Sequence, residues 1–456
     1  MEKRADAAGP PRKYLIETFG CQMNEHDSER MAGLLERAGY ERASDAADAD
    51  VVVINTCSVR ERAEEKLYTR LGELRVLGIE RGGHRPIVAV AGCVAQQEGS
   101  ALLKRSAGTA DLVVGTQAIR QLPEMVEAAA SGRTSRSFVP LLDVQAYDDV
   151  TFPVGVARRG DPVRAYVTIN EGCNEFCSFC VVPYTRGHER MRARADILAD
   201  VRDAALGGRR EVQLLGQIVN HYEAPDVPGC DFTGLLEAVH EVEGIDRIRF
   251  ASPHPRHFDQ RFLDTMARLP KVARHLHLPV QSGSTRVLES MRRRYTRESY
   301  LDLVDRIRCT LPDVALSTDM IVGFPGETAE DFEQTLTLTT AVGYHSMFSF
   351  KYSPRPNTLA EKRLPDDVPE EEKTRRIVAL QALQRGIQEA LNQRLLGTHA
   401  DVLVDGPSRR REGELSGRTT QNVVVNVPGP VEWIGQTVRV RIERAGPHSV
   451  WGRADR

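Results

Sequence analysis

Three cysteines stand close together near the middle of the chain, in the stretch EGCNEFCSFCVVPYTRG. Cys173, Cys177 and Cys180 have the spacing Cys-x3-Cys-x2-Cys. They are termed the second trio, because another set of three cysteines precedes them in the chain. Thiolates are soft ligands that suit iron–sulfur clusters and zinc. Three neighbouring thiolates can bind three irons of a four-iron cluster and leave the fourth iron open to another ligand. A structural zinc ion needs a fourth protein ligand, and His188 is near enough in sequence to supply one.

Three further cysteines are far apart in sequence but evenly spaced. Cys21, Cys57 and Cys93, here termed the first trio, are separated by 36 residues twice over, and they end the stretches ETFGC, VINTC and AVAGC. One strand–helix–strand unit takes about 30 residues or more, so each cysteine lies one unit after the last. The carboxyl ends of parallel strands share one edge of a sheet. We expect the three thiols to converge there; the alternative is three ordinary buried cysteines.

The elements that must position these cysteines follow from the apolar patterns. Residues 13–130 alternate helical patterns with the apolar runs YLIET, VVVIN, PIVAVAG and DLVVG, which predicts a domain with a parallel α/β sheet. Residues 155–385 repeat the alternation with RAYVTIN, EVQLLGQ, RIRFAS, HLHLPV, ALSTDMIVGF and MFSFKYSP. Six such units predict a partial (βα)6 barrel. The second trio follows the first of its strands, at the end where barrels place reactive groups.

The last part of the chain, residues 390–456, has a different character. HADVLVDG, QNVVVNV, TVRVRIERAG and SVWGR are short alternating strands between Gly and Pro turns, which predicts a small β-barrel. This part has ten Arg, no Lys and seven acidic residues, a charge of +3 against −6 for the rest of a chain whose total is −3. Arginine suits phosphate binding and base stacking, which favours RNA as the partner.

Individual arginines and aromatic residues of the small barrel are candidates for RNA contact. A solvated run of charge is the alternative for each arginine, and a core position is the alternative for each tryptophan. The candidates are Arg409, Arg410, Arg411 and Arg418, with Trp433 and Trp451 as stacking partners.

Bulk properties exclude several classes of protein. The 456 residues contain no apolar run of about 18 residues, so no membrane span is expected. The first residues, MEKRADAAGPPRK, lack the apolar segment of a secretory signal. We therefore expect a cytoplasmic protein whose clustered cysteines serve metal or redox chemistry rather than a disulfide scaffold. The other two of its eight cysteines, Cys230 and Cys309, are interpreted as packing residues or incidental thiols. The expected oligomeric state is a monomer.

The second trio, on the loop after the first barrel strand, resembles the cysteine motif of the radical S-adenosylmethionine superfamily. The resemblance implies that the open iron of a [4Fe-4S] cluster binds S-adenosylmethionine and that one electron cleaves it to a radical. It also implies that Phe179 lies near the adenine of this cofactor. The superfamily's adenine-side pattern is matched in part by DMIVGFPGE, through Ile321 and Gly323, with Asp319 where the pattern has glycine.

From about residue 13 to residue 453 the chain resembles the radical methylthiotransferases. The shared stretches are GCQMNEHDSERM, NTCSVRERAEEKLYTRLG, AGCVAQQEG, EGCNEFCSFCVVPYTRG, LLGQ, LHLPVQSGS and IVGFPGET. The resemblance implies two [4Fe-4S] clusters, one on each trio, with S-adenosylmethionine as cofactor. It further implies a TRAM-like RNA-binding barrel at the end of the chain and a reducing electron donor of the flavodoxin or ferredoxin type.

Within that family, GCQMN, NTCSVRE and VVPYTRG resemble the enzymes that act on N6-isopentenyladenosine at position 37, in the anticodon stem-loop of tRNA. The implied reaction adds a methylthio group to C2 of the base. Ile218 departs from the family pattern, which usually has Asn there. The alternatives are a threonylcarbamoyladenosine tRNA or a ribosomal-protein aspartate as substrate, a radical enzyme of this superfamily without sulfur insertion, and a non-catalytic iron–sulfur or zinc protein that binds RNA.

Overall fold

A computed structural model of the chain describes residues 12–58, 61–80, 85–132, 139–145, 154–409 and 411–455. These residues form two compact units. The first unit ends at Gly160 and also contains Val181–Gly187, whereas the second unit contains Asp161–Cys180 and runs from His188 onward.

The first unit is built on a six-stranded sheet in which every strand pair is parallel, in the order β2-β1-β3-β4-β5-β6. Its strands β1 to β6 are Lys13–Phe19, Glu41–Arg42, Val51–Thr56, Ile87–Gly92, Leu112–Val114 and Leu141–Asp143. All side chains of β3 and β4 are buried, as expected for central strands covered on both faces. The predicted parallel α/β sheet is confirmed.

Helices cover both faces of this sheet. The helices α1 to α5 are Gln22–Arg37, Glu61–Glu80, Cys93–Glu98, Ser100–Arg105 and Leu122–Gly132. Successive residues of β3 belong to two different hydrophobic cores: Val51 and Val53 to one, Val52 and Ile54 to the other. The alternation follows from the opposite directions of successive side chains in a strand.

The second unit begins with six parallel strands that form a partial barrel, together with a short antiparallel ribbon. Its strands β7 to β14 are Arg164–Thr168, Asn170–Glu171, Arg190–Met191, Glu211–Leu215, Arg247–Phe250, His275–His277, Ala315–Val322 and Ser346–Lys351. Strands β7, β10 and β11 form one parallel sheet and β12, β13 and β14 another, and a parallel bridge between Ile248 and Val272 connects the two. The predicted barrel strands are confirmed; the ribbon of β8 and β9 was not predicted.

Helices cover the outside of the partial barrel. The helices α6 to α14 are Val182–Thr185, Arg194–Leu206, Phe232–His240, Gln260–Arg268, Thr285–Ser290, Arg297–Thr310, Ala329–Val342, Leu359–Arg363 and Glu370–Gln393, of which α6 belongs to the first unit. Leu316, Met320 and Val322 of β13 lie in the large hydrophobic core. Ser317 and Asp319 therefore face the opposite side, the interior of the barrel.

The chain ends in a closed five-stranded barrel with the order β15-β16-β17-β19-β18. Its strands β15 to β19 are His399–Pro407, Glu414–Arg418, Val424–Pro428, Thr437–Ala445 and Val450–Ala454. The predicted small β-barrel is confirmed, but β16 was missed because ELSGR lacks an apolar alternation. Gly417 allows β16 to pass close to β15, since a Cβ there would lie 2.5 Å from the carbonyl oxygen of Leu403.

Two buried arginines of β11 attach this terminal barrel to the partial barrel. Arg247 donates to the carbonyl oxygen of Arg418 at 2.8 Å, and Arg249 donates to the carbonyl oxygen of Thr419 at 2.7 Å. Arg249 also donates to the carboxylate of Glu211 at 3.0 Å. Buried charges bonded on several sides fix the orientation of the turn between β16 and β17.

Among the residues that the structure describes, no helix is both long and apolar enough to span a lipid bilayer.

Candidate functional site

The first trio lies at one edge of the parallel sheet, as the sequence predicts. Cys21 follows β1 by two residues, Cys57 directly follows β3, and Cys93 begins α3 directly after β4; these three strands are neighbours in the sheet. The thiol of Cys57 is hydrogen-bonded to the sulfur of Cys21, and the nearby negative charge of Cys21 contributes to the raised pKa of Cys93. The fold therefore brings the three sulfur atoms together.

The three thiols of the first trio differ in acidity. The hydrogen bond from Cys57 is the main cause that lowers the pKa of Cys21 to about 5, and the positive charge of Arg186 adds to it. Burial raises the pKa of Cys93 above its ordinary value. Cys21 is thus a thiolate at neutral pH, which is the form that binds metal.

Two buried asparagines hold the first trio in place. The thiol of Cys21 is 3.3 Å from Oδ1 of Asn24, Asn24 donates to Oδ1 of Asn55 at 3.0 Å, and Asn55 donates to Ser28 Oγ at 3.0 Å. Gly92 has φ +91°, and a Cβ there would lie 2.3 Å from Oδ1 of Asn55. Neither asparagine was predicted from the sequence, although GCQMN contains Asn24 and VINTC contains Asn55.

Arg186, within VVPYTRG, brings a positive charge to the first trio. The segment Val181–Gly187 packs within the first unit, where Gln117 donates to the carbonyl oxygen of Arg186 at 3.2 Å. The buried guanidinium of Arg186 donates to Asp27 at 2.7 Å and is hydrogen-bonded to Cys93. A buried cation there favours anionic sulfur ligands.

The second trio lies on one loop at the carboxyl end of β7, as predicted. The ribbon of β8 and β9 closes this loop, and two residues with positive φ, Gly172 at +77° and Phe176 at +48°, turn the backbone. The amide of Cys180 donates to the carbonyl oxygen of Cys177 at 3.0 Å. Burial raises the pKa of Cys173 to about 11.

Glu175, between the first two cysteines of the second trio, anchors the loop. Its carboxylate is 3.1 Å from Nε2 of His257, 3.3 Å from Arg256 and 3.5 Å from Arg294. The hydrogen bond to His257 and the nearby positive charges lower the pKa of Glu175 to about 2. The loop is therefore tied to the segments that follow β11 and α10.

Arg293 contacts a member of the second trio directly. Its Nη1 donates to Sγ of Cys177 at 3.3 Å, its Nη2 donates to the carbonyl oxygen of Pro279 at 3.1 Å, and its Nε donates to the hydroxyl of Tyr295 at 2.9 Å. Arg186 and Arg293 thus each lie beside one trio. Neither arginine was predicted from the sequence, because both contacts depend on tertiary packing.

Two of the three adenine-side candidates share one hydrophobic environment. Phe179 and Ile321 both pack against the small core that contains Phe324, and the rings of Phe179 and Phe324 meet edge-on at 6.5 Å. Gly323 has φ +70°, and a Cβ there would lie 2.4 Å from Lys373 Cγ. Phe179 is half-buried, which leaves part of its ring accessible.

The residues present fit iron–sulfur clusters. In the described part of the chain, no three His, Cys, Asp or Glu side chains are grouped as ligands of one metal ion. A four-iron cluster requires a different arrangement, because each thiolate binds a separate iron. Both trios offer soft sulfur donors with a buried arginine alongside. His188, the alternative fourth ligand for zinc, is hydrogen-bonded through Nδ1 to Oδ1 of Asn174 at 3.0 Å.

Two of the arginine candidates lie on the turn between β15 and β16 of the terminal barrel. Arg409 and Arg411 are exposed, and Arg410 lies outside the described residues. The guanidinium of Arg411 is 5.7 Å from the ring of Trp451 and 3.3 Å from the carboxylate of Glu414. This turn therefore presents positive charge beside an aromatic ring.

The fourth arginine candidate is held by contacts within the chain. Arg418 lies at the end of β16, 3.6 Å from the carboxylate of Asp405 and 3.1 Å from Oδ1 of Asn422. Trp433 packs partly against the core of the barrel. These contacts distinguish Arg418 from the exposed Arg409 and Arg411.

Three family models match consecutive parts of the chain. Residues 13–115 match the family described as uncharacterized protein family UPF0004, residues 167–339 match the radical SAM superfamily, and residues 393–454 match the TRAM domain. The matches define a radical S-adenosylmethionine enzyme that carries a TRAM domain. The superfamily match implies an iron–sulfur cluster and S-adenosylmethionine as cofactors.

Curated relatives match almost the whole chain. The tRNA-2-methylthio-N(6)-dimethylallyladenosine synthase of Bordetella petrii is 46% identical over 97% of this chain and 91% of its own length. The synthase of the same name from Chromobacterium violaceum is 45% identical, over 97% of this chain and 98% of its own length. The chain therefore belongs to the tRNA-2-methylthio-N(6)-dimethylallyladenosine synthase family.

Solved structures of radical S-adenosylmethionine enzymes share the fold. The methyltransferase TsrM from Kitasatospora setae, solved with cobalamin and a [4Fe-4S] cluster, has a TM-score of 0.53 at 15% identity, over 77% of this chain and 74% of that chain. The cobalamin-dependent enzyme OxsB has a TM-score of 0.53 at 12% identity, over 82% of this chain and 56% of that chain. At such identities the likeness concerns the fold alone.

Proposed function

We propose that the chain adds a methylthio group to C2 of N6-isopentenyladenosine at position 37 of tRNA, in the anticodon stem-loop. The observation that carries the proposal is the presence of two cysteine trios, each at the carboxyl end of parallel strands, in a chain whose curated relatives of nearly equal length have this activity in their names. Such an enzyme acts in the cytoplasm.

The two trios have separate tasks in this proposal. Cys173, Cys177 and Cys180 bind the [4Fe-4S] cluster that, when loaded, supplies the one-electron chemistry for an unactivated C–H bond. The first trio binds a second [4Fe-4S] cluster and serves the sulfur transfer. Phe179 would lie near the adenine of S-adenosylmethionine when this cofactor is bound. The segment that carries Arg186 follows Cys180 directly in the sequence.

The residues around each trio prepare the ligands. The hydrogen bond from Cys57 and the backbone N–H groups of Met23 and Asn24 act on the sulfur of Cys21, and its lowered pKa keeps the sulfur ionised before metal arrives. Glu175, bonded to His257, fixes the backbone between Cys173 and Cys177. These contacts reduce the conformational freedom that the loop would otherwise lose on binding the cluster.

The terminal barrel binds the RNA in this proposal. Arg409, Arg410 and Arg411 contact phosphates, with Trp451 beside them as a stacking surface. The side chain of Arg418 contacts Asp405 and Asn422 within the barrel itself, so we assign it to the stability of the barrel rather than to RNA contact. The target base must leave the stack of the anticodon loop to react. The enzyme acts as a monomer and receives electrons from a flavodoxin- or ferredoxin-type donor.

Nucleoside mass spectrometry of tRNA from cells that lack this protein tests the proposal. We expect the 2-methylthio-N6-isopentenyladenosine peak to disappear and N6-isopentenyladenosine to accumulate. Loss of a methylthio derivative of threonylcarbamoyladenosine, or of a methylthio group on a ribosomal-protein aspartate, would indicate one of the other substrates. If the modification that disappears contains no sulfur, the result would indicate a radical enzyme that does not insert sulfur.

A further inference from the structure

Arg293 is a buried cation whose surroundings contain little negative charge. The residue is 6% exposed, and its guanidinium is hydrogen-bonded to the sulfur of Cys177, the hydroxyl of Tyr295 and the carbonyl oxygen of Pro279. None of these three partners is a carboxylate. The neighbouring arginines differ, because Arg292 is exposed and Arg294 is paired with Glu175 at 3.5 Å.

Burial of a charged guanidinium is unfavourable unless an opposite charge or full hydrogen bonding compensates it. A carbonyl oxygen and a phenol hydroxyl satisfy two of its N–H groups but carry no net charge. Cys177 is the partner that becomes negative when it binds metal. The burial of Arg293 is therefore explained by an anionic group at the second trio.

The orientation of the guanidinium is fixed by its other contacts. Tyr295 accepts from Nε of Arg293 and donates to the carbonyl oxygen of Val280 at 2.9 Å. The ring of Tyr295 also lies 5.3 Å from the guanidinium carbon. With Nη2 held by Pro279, the remaining Nη1 is directed at Sγ of Cys177. A lysine at this position cannot reproduce all three contacts, because an ammonium lacks the planar fork.

We propose that Arg293 is a positioning residue that raises the reduction potential of the cluster on the second trio through its hydrogen bond to Cys177. Hydrogen bonds to ligand sulfur and a nearby positive charge both favour the more negative, reduced state. The step concerned is the one-electron reduction of the oxidised cluster by an external reductant, with no bond broken. The inference rests on the proposed assignment of a cluster that binds S-adenosylmethionine to Cys173, Cys177 and Cys180.

A redox titration of the reconstituted full-length protein tests this role. The electron paramagnetic resonance signal that changes when S-adenosylmethionine is added identifies the relevant cluster. We expect Arg293→Met to shift its potential to more negative values and Arg293→Lys, which keeps the charge, to shift it less. Arg292→Met, the same substitution at the exposed neighbour, is the control and should titrate like the wild type. An Arg293→Met protein with full iron content and an unchanged potential contradicts the proposal.

A second measurement uses the unaltered protein, so it does not depend on whether the Met variant folds. With arginine labelled with ¹⁵N, pulsed electron paramagnetic resonance should detect a ¹⁵N coupling at the cluster that responds to S-adenosylmethionine, and Arg293→Lys should remove it. The absence of that coupling in the wild type overturns the inference. A wild-type protein without any cluster that responds to S-adenosylmethionine instead contradicts the proposed function, so the two failures are distinguishable.

Discussion

The guanidinium of Arg186 donates a hydrogen bond of 2.7 Å to the carboxylate of Asp27, although 159 residues separate them in sequence. Both side chains are buried, and Arg186 is also hydrogen-bonded to Cys93. Asp27 lies on α1, which begins directly after Cys21. The pair therefore holds the segment Val181–Gly187 within the first unit, beside the first trio.

Replacement of Arg186 by Met should weaken cluster binding at the first trio. Removal of one partner of a buried pair costs about 3–5 kcal/mol, and Arg30, 3.8 Å from Asp27, compensates part of that loss. We expect the reconstituted variant to hold about half of the wild-type iron, since one of the two proposed four-iron clusters is lost. Iron analysis and urea unfolding measure the two effects.

The control for this variant is Arg75→Met, an exposed arginine of α2 in the same unit. It should retain its iron and its stability. The Arg186→Met protein should still cleave S-adenosylmethionine, because the second trio is intact. Full iron content with normal formation of the methylthio product would show that Arg186 has no role at the first trio.

The lowered pKa of Cys21 predicts its reactivity in the reduced, iron-free protein. A pKa of about 5, below the ordinary value of 9.0, means that the thiolate predominates above pH 5 and is lost as the pH falls through 5. Labelling of Cys21 by iodoacetamide should therefore change little between pH 6 and pH 8, whereas an ordinary thiol gains about tenfold per pH unit in this range.

Cys173 is the internal comparison, because burial raises its pKa to about 11 and its labelling should require alkaline pH. Mass spectrometry of peptides from one sample measures both cysteines. A labelling rate of Cys21 that rises steeply from pH 7 to pH 9 would contradict the predicted thiolate.

Glu175 should stabilise the iron-free protein in a pH-dependent manner. Its pKa is lowered from 4.5 to about 2, chiefly by the hydrogen bond to His257. A lowered pKa in the folded state means that the stabilisation is complete above pH 4.5 and is lost as the pH falls towards 2. The difference in melting temperature between the wild type and Glu175→Gln should shrink over that interval. Glu289→Gln removes an exposed carboxylate as the control; an equal difference at every pH excludes the ion-pair explanation.

The attachment of the terminal barrel depends on Arg249. Its replacement by Met removes the donor to Thr419 and leaves the buried Glu211 with Arg247 at 3.6 Å. We expect a loss of about 3 kcal/mol in the free energy of unfolding, together with weaker binding of tRNA. The exposed Arg202→Met is the control for urea unfolding and for a tRNA filter-binding assay. A variant with wild-type stability and affinity would show that these contacts do not orient the barrel.

The positions of the cysteines could be predicted because strand ends are a local property of the sequence. Apolar runs locate β1, β3 and β4, and parallel strands necessarily end at the same edge, so Cys21, Cys57 and Cys93 follow. The parallel strands of the partial barrel could be predicted equally well from their apolar runs. Strand β16 was not, because Ser416 and Gly417 replace the apolar alternation.

The residues that contact the cysteine sulfur atoms could not be predicted from apolar runs and strand ends. Arg186 and Arg293 reach their sulfur partners through contacts between segments that are distant in sequence, and no local pattern distinguishes them from surface arginines. Arg293 in particular lies between two arginines that are exposed. The positive φ values of Arg292 and Arg294, 57° and 60°, turn the backbone so that Arg293 alone points inward, and such values are rare for non-glycine residues.

The most direct test of the account is nucleoside mass spectrometry of tRNA from cells in which the protein is replaced by its Cys57→Ala variant. Cys57 is hydrogen-bonded to Cys21 in the first trio and is not a member of the second trio. We predict that N6-isopentenyladenosine accumulates without its methylthio derivative, while the purified variant still cleaves S-adenosylmethionine. A wild-type level of 2-methylthio-N6-isopentenyladenosine in those cells would contradict the requirement for both trios.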